Sequence, residues 1–85
     1  MAPARKEPDV STYSGRVAKR LRELRDERGW PAEKVVERLN RFGYRIVLSK
    51  YYHWEGGRSK VDLNAVPALL KTFRLRDASE FFPPK

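Results

Sequence analysis

Apolar residues recur along most of this chain at the three- and four-residue spacing of amphipathic helices. In the first such segment Val17, Leu21 and Leu24 form one stripe, with Tyr13 a turn earlier, while Arg and Lys occupy the other faces. Gly29 is placed to end this helix, because glycine adopts the left-handed conformation at low cost. The candidate N-caps are Ser11, Thr12 and Ser14.

A second helix is predicted almost directly after the first. Pro31 suits its first turn, and Gly43 is the expected end. Trp30, between the two helices, is expected to seal the core at their junction. The apolar positions of this helix repeat at intervals of three and four, and they are Ala32, Val35, Val36, Leu39 and Phe42.

The third segment, residues 48–55, is harder to assign, because the apolar run at 46–48 favours a strand by propensity. An isolated strand would have no partner, whereas Tyr51 and Trp54 lie three residues apart, as on one helical face. We therefore predict a short helix with Tyr51 and Trp54 turned inward, ended by the glycine pair at 56–57.

A fourth helix is predicted after this pair, with Asp62 or Asn64 as its cap. Pro67 is harmless if the helix begins near Asn64 but costs a hydrogen bond if it begins at Asp62, so the start stays open. The expected apolar stripe is Leu63, Val66, Leu70 and Phe73.

Residues 77–80 have the outline of a capping box and predict a short fifth helix, which ends at Phe81 and Phe82 before two prolines. Five helices without a strand make a compact all-α domain over residues 13–82. Residues 1–12 contain two prolines and no periodicity, so a flexible N-terminal tail is predicted. Residues 83–85 form a short C-terminal tail.

Charge is unevenly distributed along the chain. The total is +8, from 19 Lys and Arg against 11 Asp and Glu. Residues 38–60 hold six basic residues and one acidic residue, and residues 14–29 hold six basic and three acidic. A localised basic surface is typical of proteins that bind a phosphate backbone, although a merely soluble basic protein is the alternative.

Several function classes are disfavoured by composition. The chain has no cysteine and one histidine, so a thiolate nucleophile or a Cys/His metal site is not expected. No paired carboxylates or glycine-rich phosphate loop indicate an enzyme, and no cofactor is expected. With no apolar signal region and no 18-residue apolar run, we expect a cytoplasmic protein with no membrane partner.

Four segments, residues 20–30, 32–46, 53–58 and 61–75, strongly resemble the helix-turn-helix domain of the phage lambda repressor and Cro type, the XRE family. The resemblance covers roughly residues 14–82 and depends on the order of its pieces. It implies a five-helix fold in which the second and third helices form the helix-turn-helix. It also implies an ion pair between Arg25 and Glu55, where an ordinary solvated arginine is the alternative.

Three features depart from that family pattern. The turn between the second and third helices, residues 40–47, is long. Val47 or Leu48 stands where a polar cap is usual, which leaves Ser49 as the expected cap. Gly56 stands where the family often has a polar or basic residue.

The resemblance places groove contacts near the start of the third helix and one turn further on. The expected base-contacting residues are Leu48, Ser49, Lys50, Tyr52 and His53. Phosphate contacts are expected from basic residues that flank this helix, together with one from the second helix. These are Lys34, Arg45, Arg58 and Lys60, with Lys50 able to serve here as well; each could equally be a solvated surface charge.

The sequence therefore predicts specific binding of double-stranded DNA, with transcriptional regulation as the result, and repression is assumed rather than activation. The family resemblance and the weakness of one such domain alone imply a homodimer on a palindromic operator. The alternative is an antitoxin or phage adaptor that uses the same fold to bind a protein. Phe81 and Phe82 could dock on such a partner, complete the protein's own core or form a homodimer interface. Binding of single-stranded RNA is a weaker option, because the aromatic residues are needed inside the fold.

Overall fold

Four α-helices and two short 3₁₀ helices make up the computed structural model, which describes residues 7–85. The α-helices are α1 (Tyr13–Glu27), α2 (Ala32–Arg41), α3 (Leu48–Glu55) and α4 (Val66–Phe73), and the 3₁₀ helices are Leu63–Ala65 and Ala78–Glu80. No strand occurs within residues 7–85. The all-α class is therefore confirmed, but the expected count of five helices is wrong.

The core lies where α3 packs against α1 and α2, with α4 closing the other side of α2. The predicted stripes of α1 and α2 supply much of it, and Trp30 stacks on Phe73 with ring centroids 6.0 Å apart, which joins the α1–α2 junction to the end of α4. Tyr13, by contrast, is partly exposed. The largest fully buried side chains are Trp54, Tyr51, Phe73, Phe81, Leu21, Leu24, Leu39 and Leu69.

The predicted fifth helix is only the 3₁₀ helix Ala78–Glu80. Asp77 caps it, because its Oδ1 accepts the Ser79 N–H at 2.9 Å. The helix cannot extend, since Phe81 must turn into the core, where it is fully buried, and prolines follow directly after Phe82. Phe82 packs edge-on to Phe81 with ring centroids 5.1 Å apart.

The start of the fourth helix differs from both expected positions. Asp62 caps the 3₁₀ helix Leu63–Ala65 through the Asn64 N–H, and α4 begins at Val66 with Pro67 in its first turn, where a missing N–H costs nothing. The predicted apolar stripe was partly wrong, because Leu63 is 73% exposed and Leu69 is fully buried. A 3₁₀ turn has three residues per turn and shifts the phase of the stripe.

Residues 7–12 lie against the folded helices and are called the N-terminal strap below. Pro8 is buried, and the Arg16 guanidinium donates to the Val10 carbonyl at 2.9 Å. A Cβ at Gly15 would overlap the Asp9 carbonyl, so only glycine permits this approach of the strap to α1. Residues 1–6 of the expected tail lie outside the described residues.

Candidate nucleic-acid interface

The two faces of α3 differ completely in exposure. Tyr51 and Trp54 are fully buried, as their spacing predicts, and Tyr51 packs at an angle to Trp54 with centroids 6.4 Å apart. The opposite face consists of Ser49, Lys50, Tyr52 and His53, all exposed, with Leu48 half-buried at its edge. The five expected base-contacting residues are thus brought together on one helix flank with four of them open to solvent.

A buried ion pair fixes the end of α3 against α1. The Arg25 Nε lies 2.6 Å from Glu55 Oε2, and its Nη2 lies 2.8 Å from Oε1, so the guanidinium and carboxylate pair in a two-point geometry. Arg25 also donates to the Trp30 carbonyl at 3.0 Å. The hydrogen bond to Glu55 raises the pKa of Arg25, and burial raises that of the neighbouring Tyr51. The pair implied by the family resemblance is therefore present.

Arg22 adds a second link between α1 and α3, which sequence reasoning did not single out. Its guanidinium contacts the Glu55 carbonyl at 3.4 Å and the Glu7 carboxylate of the strap at 3.0 Å. The end of α3 is thus held by two arginines of the same helix. A spacing of three residues between Arg22 and Arg25, which places them on one helical face, was the available sequence signal.

The first turn of α3 has no side-chain cap. Val47 is the N-cap residue, in an extended conformation, and no side chain accepts a hydrogen bond from the helix start. The expectation that Ser49 caps this helix is wrong, because the helix already begins at Leu48 and Ser49 lies within its first turn, exposed. Uncapped N–H groups and the helix dipole together favour an anion at such an end.

Exposed cations flank α3 on both sides. Arg45 lies on the preceding turn, Lys50 on the helix itself, and Arg58 and Lys60 on the following loop. None of these four forms an ion pair with a carboxylate in the described part of the chain. Their positive charge therefore faces solvent, and that of Lys50 also acts on the nearby carboxylate of Asp62.

Lys34 differs from the other predicted phosphate contacts. Its ammonium lies 5.0 Å from the centre of the Trp30 ring, which in turn stacks on Phe73 at the end of α4. Arg38 lies over the same indole at 5.2 Å. Lys34 is exposed but no contact among residues 7–85 joins it to α3, so it forms part of a separate basic cluster beside Trp30.

The turn between α2 and α3 contains a residue that sequence reasoning did not connect with the site. The Tyr44 ring stacks on Trp54, with centroids 5.7 Å apart and planes inclined by 9°. Its hydroxyl donates to Asp62 Oδ2 at 2.8 Å, and partial burial with this bond raises the pKa of Tyr44 to about 12. The only sequence signal was an aromatic residue directly after the glycine that ends α2.

A family model described as "Helix-turn-helix domain" matches residues 16–81, most of the chain. The chain belongs to the helix-turn-helix family. No curated protein and no solved structure matches it. The match of this helix-turn-helix protein supports DNA binding and a part in transcription regulation.

Two further observations on this helix-turn-helix protein concern other kinds of site. Within residues 7–85 no group of three or more His, Asp or Glu side chains could hold a metal ion. No helix of this part of the chain has both the length and the apolar character needed to cross a bilayer.

Proposed function

We propose that the protein binds double-stranded DNA in a sequence-specific manner, as a member of the lambda repressor and Cro type, by inserting the exposed flank of α3 into the major groove. The observation that supports this proposal is that one face of α3 is buried in the core while the opposite face is open to solvent. Tyr51, Trp54 and the Arg25–Glu55 pair fix the helix to the core and leave Ser49 and His53 free.

The side chains along the exposed face of α3 suit contacts to base edges in the groove. Ser49 and Lys50 donate hydrogen bonds to acceptors on guanine or adenine, His53 and Tyr52 lie one turn further on, and Leu48 suits a thymine methyl. Arg45, Arg58 and Lys60 contact phosphates on either side, and the uncapped first turn of α3 favours a further phosphate. Lys34 contacts phosphate at the edge of the footprint.

A homodimer on a palindromic operator follows from the small size of this reading surface. An eight-residue helix is about 12 Å long, so one copy spans only about three or four base pairs. Two copies read half-sites that lie about one helical turn apart. Occupying such an operator blocks transcription, which makes the protein a repressor acting in the cytoplasm.

Selection of bound sequences from a random duplex pool tests this function. A palindromic consensus is expected for the wild-type protein, and Ser49→Arg is expected to recover a different consensus, because residue 49 lies on the open flank of α3. An unchanged consensus would show that α3 does not read the bases. Failure to enrich any sequence would contradict specific DNA binding itself.

A matched pair of charge substitutions separates phosphate contacts from general basicity. Arg58→Gln is expected to weaken binding about equally for all sequences, since a phosphate contact carries no base information. Lys19→Gln removes one exposed positive charge from α1 and serves as the control. Equal effects of the two substitutions would indicate non-specific attraction rather than an interface around α3.

The protein-binding alternative has lost one of its candidate contacts. Phe81 is fully buried in the protein's own core and Phe82 packs on it, so this pair does not form an open docking surface. Unpaired cations around α3 have no evident use in a pure protein adaptor. We therefore retain DNA binding as the proposed function.

A further inference from the structure

The long turn between α2 and α3, residues 42–47, is held to the fold at several points. The Asn40 side-chain amide donates to the Val36 carbonyl at 2.8 Å and to the Ile46 carbonyl at 3.0 Å. The Tyr44 N–H donates to the Leu39 carbonyl at 2.9 Å, and the Ile46 side chain is buried. A positive φ of 96° at Gly43 allows the chain to leave α2 in this direction. The added length of the turn is therefore ordered structure.

Tyr44 connects this turn to two other elements. Its ring lies flat on Trp54 of α3, and its hydroxyl donates to Asp62, which precedes α4. The other oxygen of Asp62 accepts the Asn64 N–H at 2.9 Å, so one carboxylate both caps the entry to α4 and holds the turn. These two hydrogen bonds, with a smaller contribution from the charge of Lys50, lower the pKa of Asp62.

An open groove of about 480 Å³ runs between this turn and the start of α3. Arg45 of the turn and Lys50 of α3 supply two positive charges to its lining, and Ile46 and Val47 supply apolar surface. Val47 is 65% exposed although it is apolar. A surface that combines cations with an apolar wall suits a sugar–phosphate backbone, in which charged phosphates alternate with apolar sugar faces.

We propose that Tyr44 and Asp62 are positioning residues that hold the turn 42–47 so that Arg45 and Lys50 grip one stretch of DNA backbone lying in this groove. The inference rests on the proposed function, because it concerns how the same protein binds DNA. A loose six-residue turn would lose conformational freedom on binding, and a turn ordered in advance avoids that loss. The longer turn thus serves as a second DNA-contacting element beside α3.

The test measures DNA affinity and its salt dependence for Tyr44→Phe, Arg45→Gln and the double variant, on the duplex recovered from the random pool. Tyr44→Phe keeps the ring on Trp54 and removes only the hydrogen bond to Asp62. A loss of about three- to tenfold in affinity is expected, the size of one net hydrogen bond. Arg45→Gln is expected to lower the salt slope by about one for each bound copy. In the Arg45→Gln background, Tyr44→Phe should have little further effect, since its purpose is to position Arg45.

Two comparisons guard against a purely structural explanation. Tyr13→Phe removes another tyrosine hydrogen bond, to the Pro83 carbonyl at 2.7 Å, at the far end of α1, and should leave DNA binding unchanged. Asp62→Asn keeps an acceptor oxygen for Tyr44 and should bind DNA better than Asp62→Ala. Amide exchange over residues 42–47 should increase in Tyr44→Phe, whether or not DNA is present.

Independent effects of Tyr44→Phe and Arg45→Gln on affinity would overturn the inference while leaving the proposed function intact. Equal effects of Tyr44→Phe and Tyr13→Phe would do the same, as would unchanged amide exchange in the turn. A wild-type protein that enriches no duplex would overturn the proposed function and this inference together. Selection in the random pool therefore separates the two failures.

Discussion

Glu55 is almost wholly buried, yet both of its carboxylate oxygens accept N–H groups of Arg25. Removing one partner of a buried pair leaves the other charge without compensation inside the protein. Glu55→Gln should therefore lower the free energy of unfolding by on the order of 3 kcal/mol. Thermal or urea unfolding followed by Trp fluorescence measures this change.

Glu37→Gln is the matched control for that substitution. Glu37 pairs with Arg41 at 2.9 Å, but both side chains are exposed, so this pair should contribute only about 0.5 kcal/mol. Similar losses of unfolding free energy in the two variants would contradict the view that burial makes the Arg25–Glu55 pair more stabilising than an exposed pair. A DNA affinity that falls with Glu55→Gln more than stability alone explains would tie the pair to the orientation of α3.

Tyrosine ionisation should destabilise the fold at alkaline pH. The pKa of Tyr44 is raised to about 12 by partial burial and by Asp62, and burial raises the pKa of Tyr51 as well. The fold favours the neutral phenols, so their contribution is complete below about pH 10 and is lost as the pH rises toward 12. Melting temperatures between pH 9 and 11.5 should fall, with a shallower decline in Tyr44→Phe.

At the scale of elements, the N-terminal strap depends on the absence of a side chain at Gly15. Replacing glycine by alanine within a helix normally stabilises it by about 0.5–1 kcal/mol. Here the new methyl group would overlap the Asp9 carbonyl, so Gly15→Ala should displace the strap and fail to raise the melting temperature. Amide exchange at Ser11 and Thr12, which both donate to Asp9, should increase.

Lys19→Ala provides the comparison for this variant, because it changes an exposed position of α1 one turn further along the helix without adding atoms. A higher melting temperature in Gly15→Ala with preserved exchange protection would show that the strap contributes nothing to the folded domain. Pro8 would then be covered only incidentally.

Regular periodicity explains which elements the sequence could predict. The stripes of α1 and α2 and the inward pair Tyr51 and Trp54 follow from helical spacing alone, and the structure agrees with them. The predictions fail where α-helical spacing is interrupted by another local structure or by burial of a side chain. A 3₁₀ turn displaced Leu63 from the core, and burial of Phe81 limited the last segment to three helical residues.

The sequence could predict which residues face the candidate DNA interface, but not the long-range contacts that hold those residues in place. Exposed residues of α3 and their flanking cations follow from amphipathicity and charge. Contacts between residues far apart in the chain, such as Tyr44 with Asp62 or Arg22 with Glu7, carry no periodic signal. The role of such a side chain depends on the path of a turn, so it can be assigned only once the structure of the turn is known.

At the scale of the whole molecule, the net charge is +8, and six of the basic residues form two separate clusters. Arg45, Lys50, Arg58 and Lys60 surround α3, whereas Lys34 and Arg38 lie over Trp30 beside the end of α4. Charges of the first cluster approach phosphates when α3 enters a groove. The second cluster lies at the edge of the proposed footprint, where Lys34 is expected to contact phosphate and Arg38 adds to the long-range field that increases the rate of encounter.

Salt dependence tests the phosphate contacts around α3 and the number of bound copies together. If at least three cations of each copy neutralise a phosphate, a dimer neutralises at least six, and affinity should fall by about three or more decades between 50 and 200 mM salt. Arg58→Gln should lower the slope of log affinity against log salt by about 1.8 for a dimer and by about 0.9 for a monomer, since the loss is counted once per copy. Fluorescence anisotropy on a labelled duplex across that salt range measures both quantities, with Lys19→Gln as the unchanged control. Affinity that is independent of salt would contradict a phosphate-contacting interface around α3, and a slope change near 0.9 would contradict the homodimer while leaving DNA binding in place.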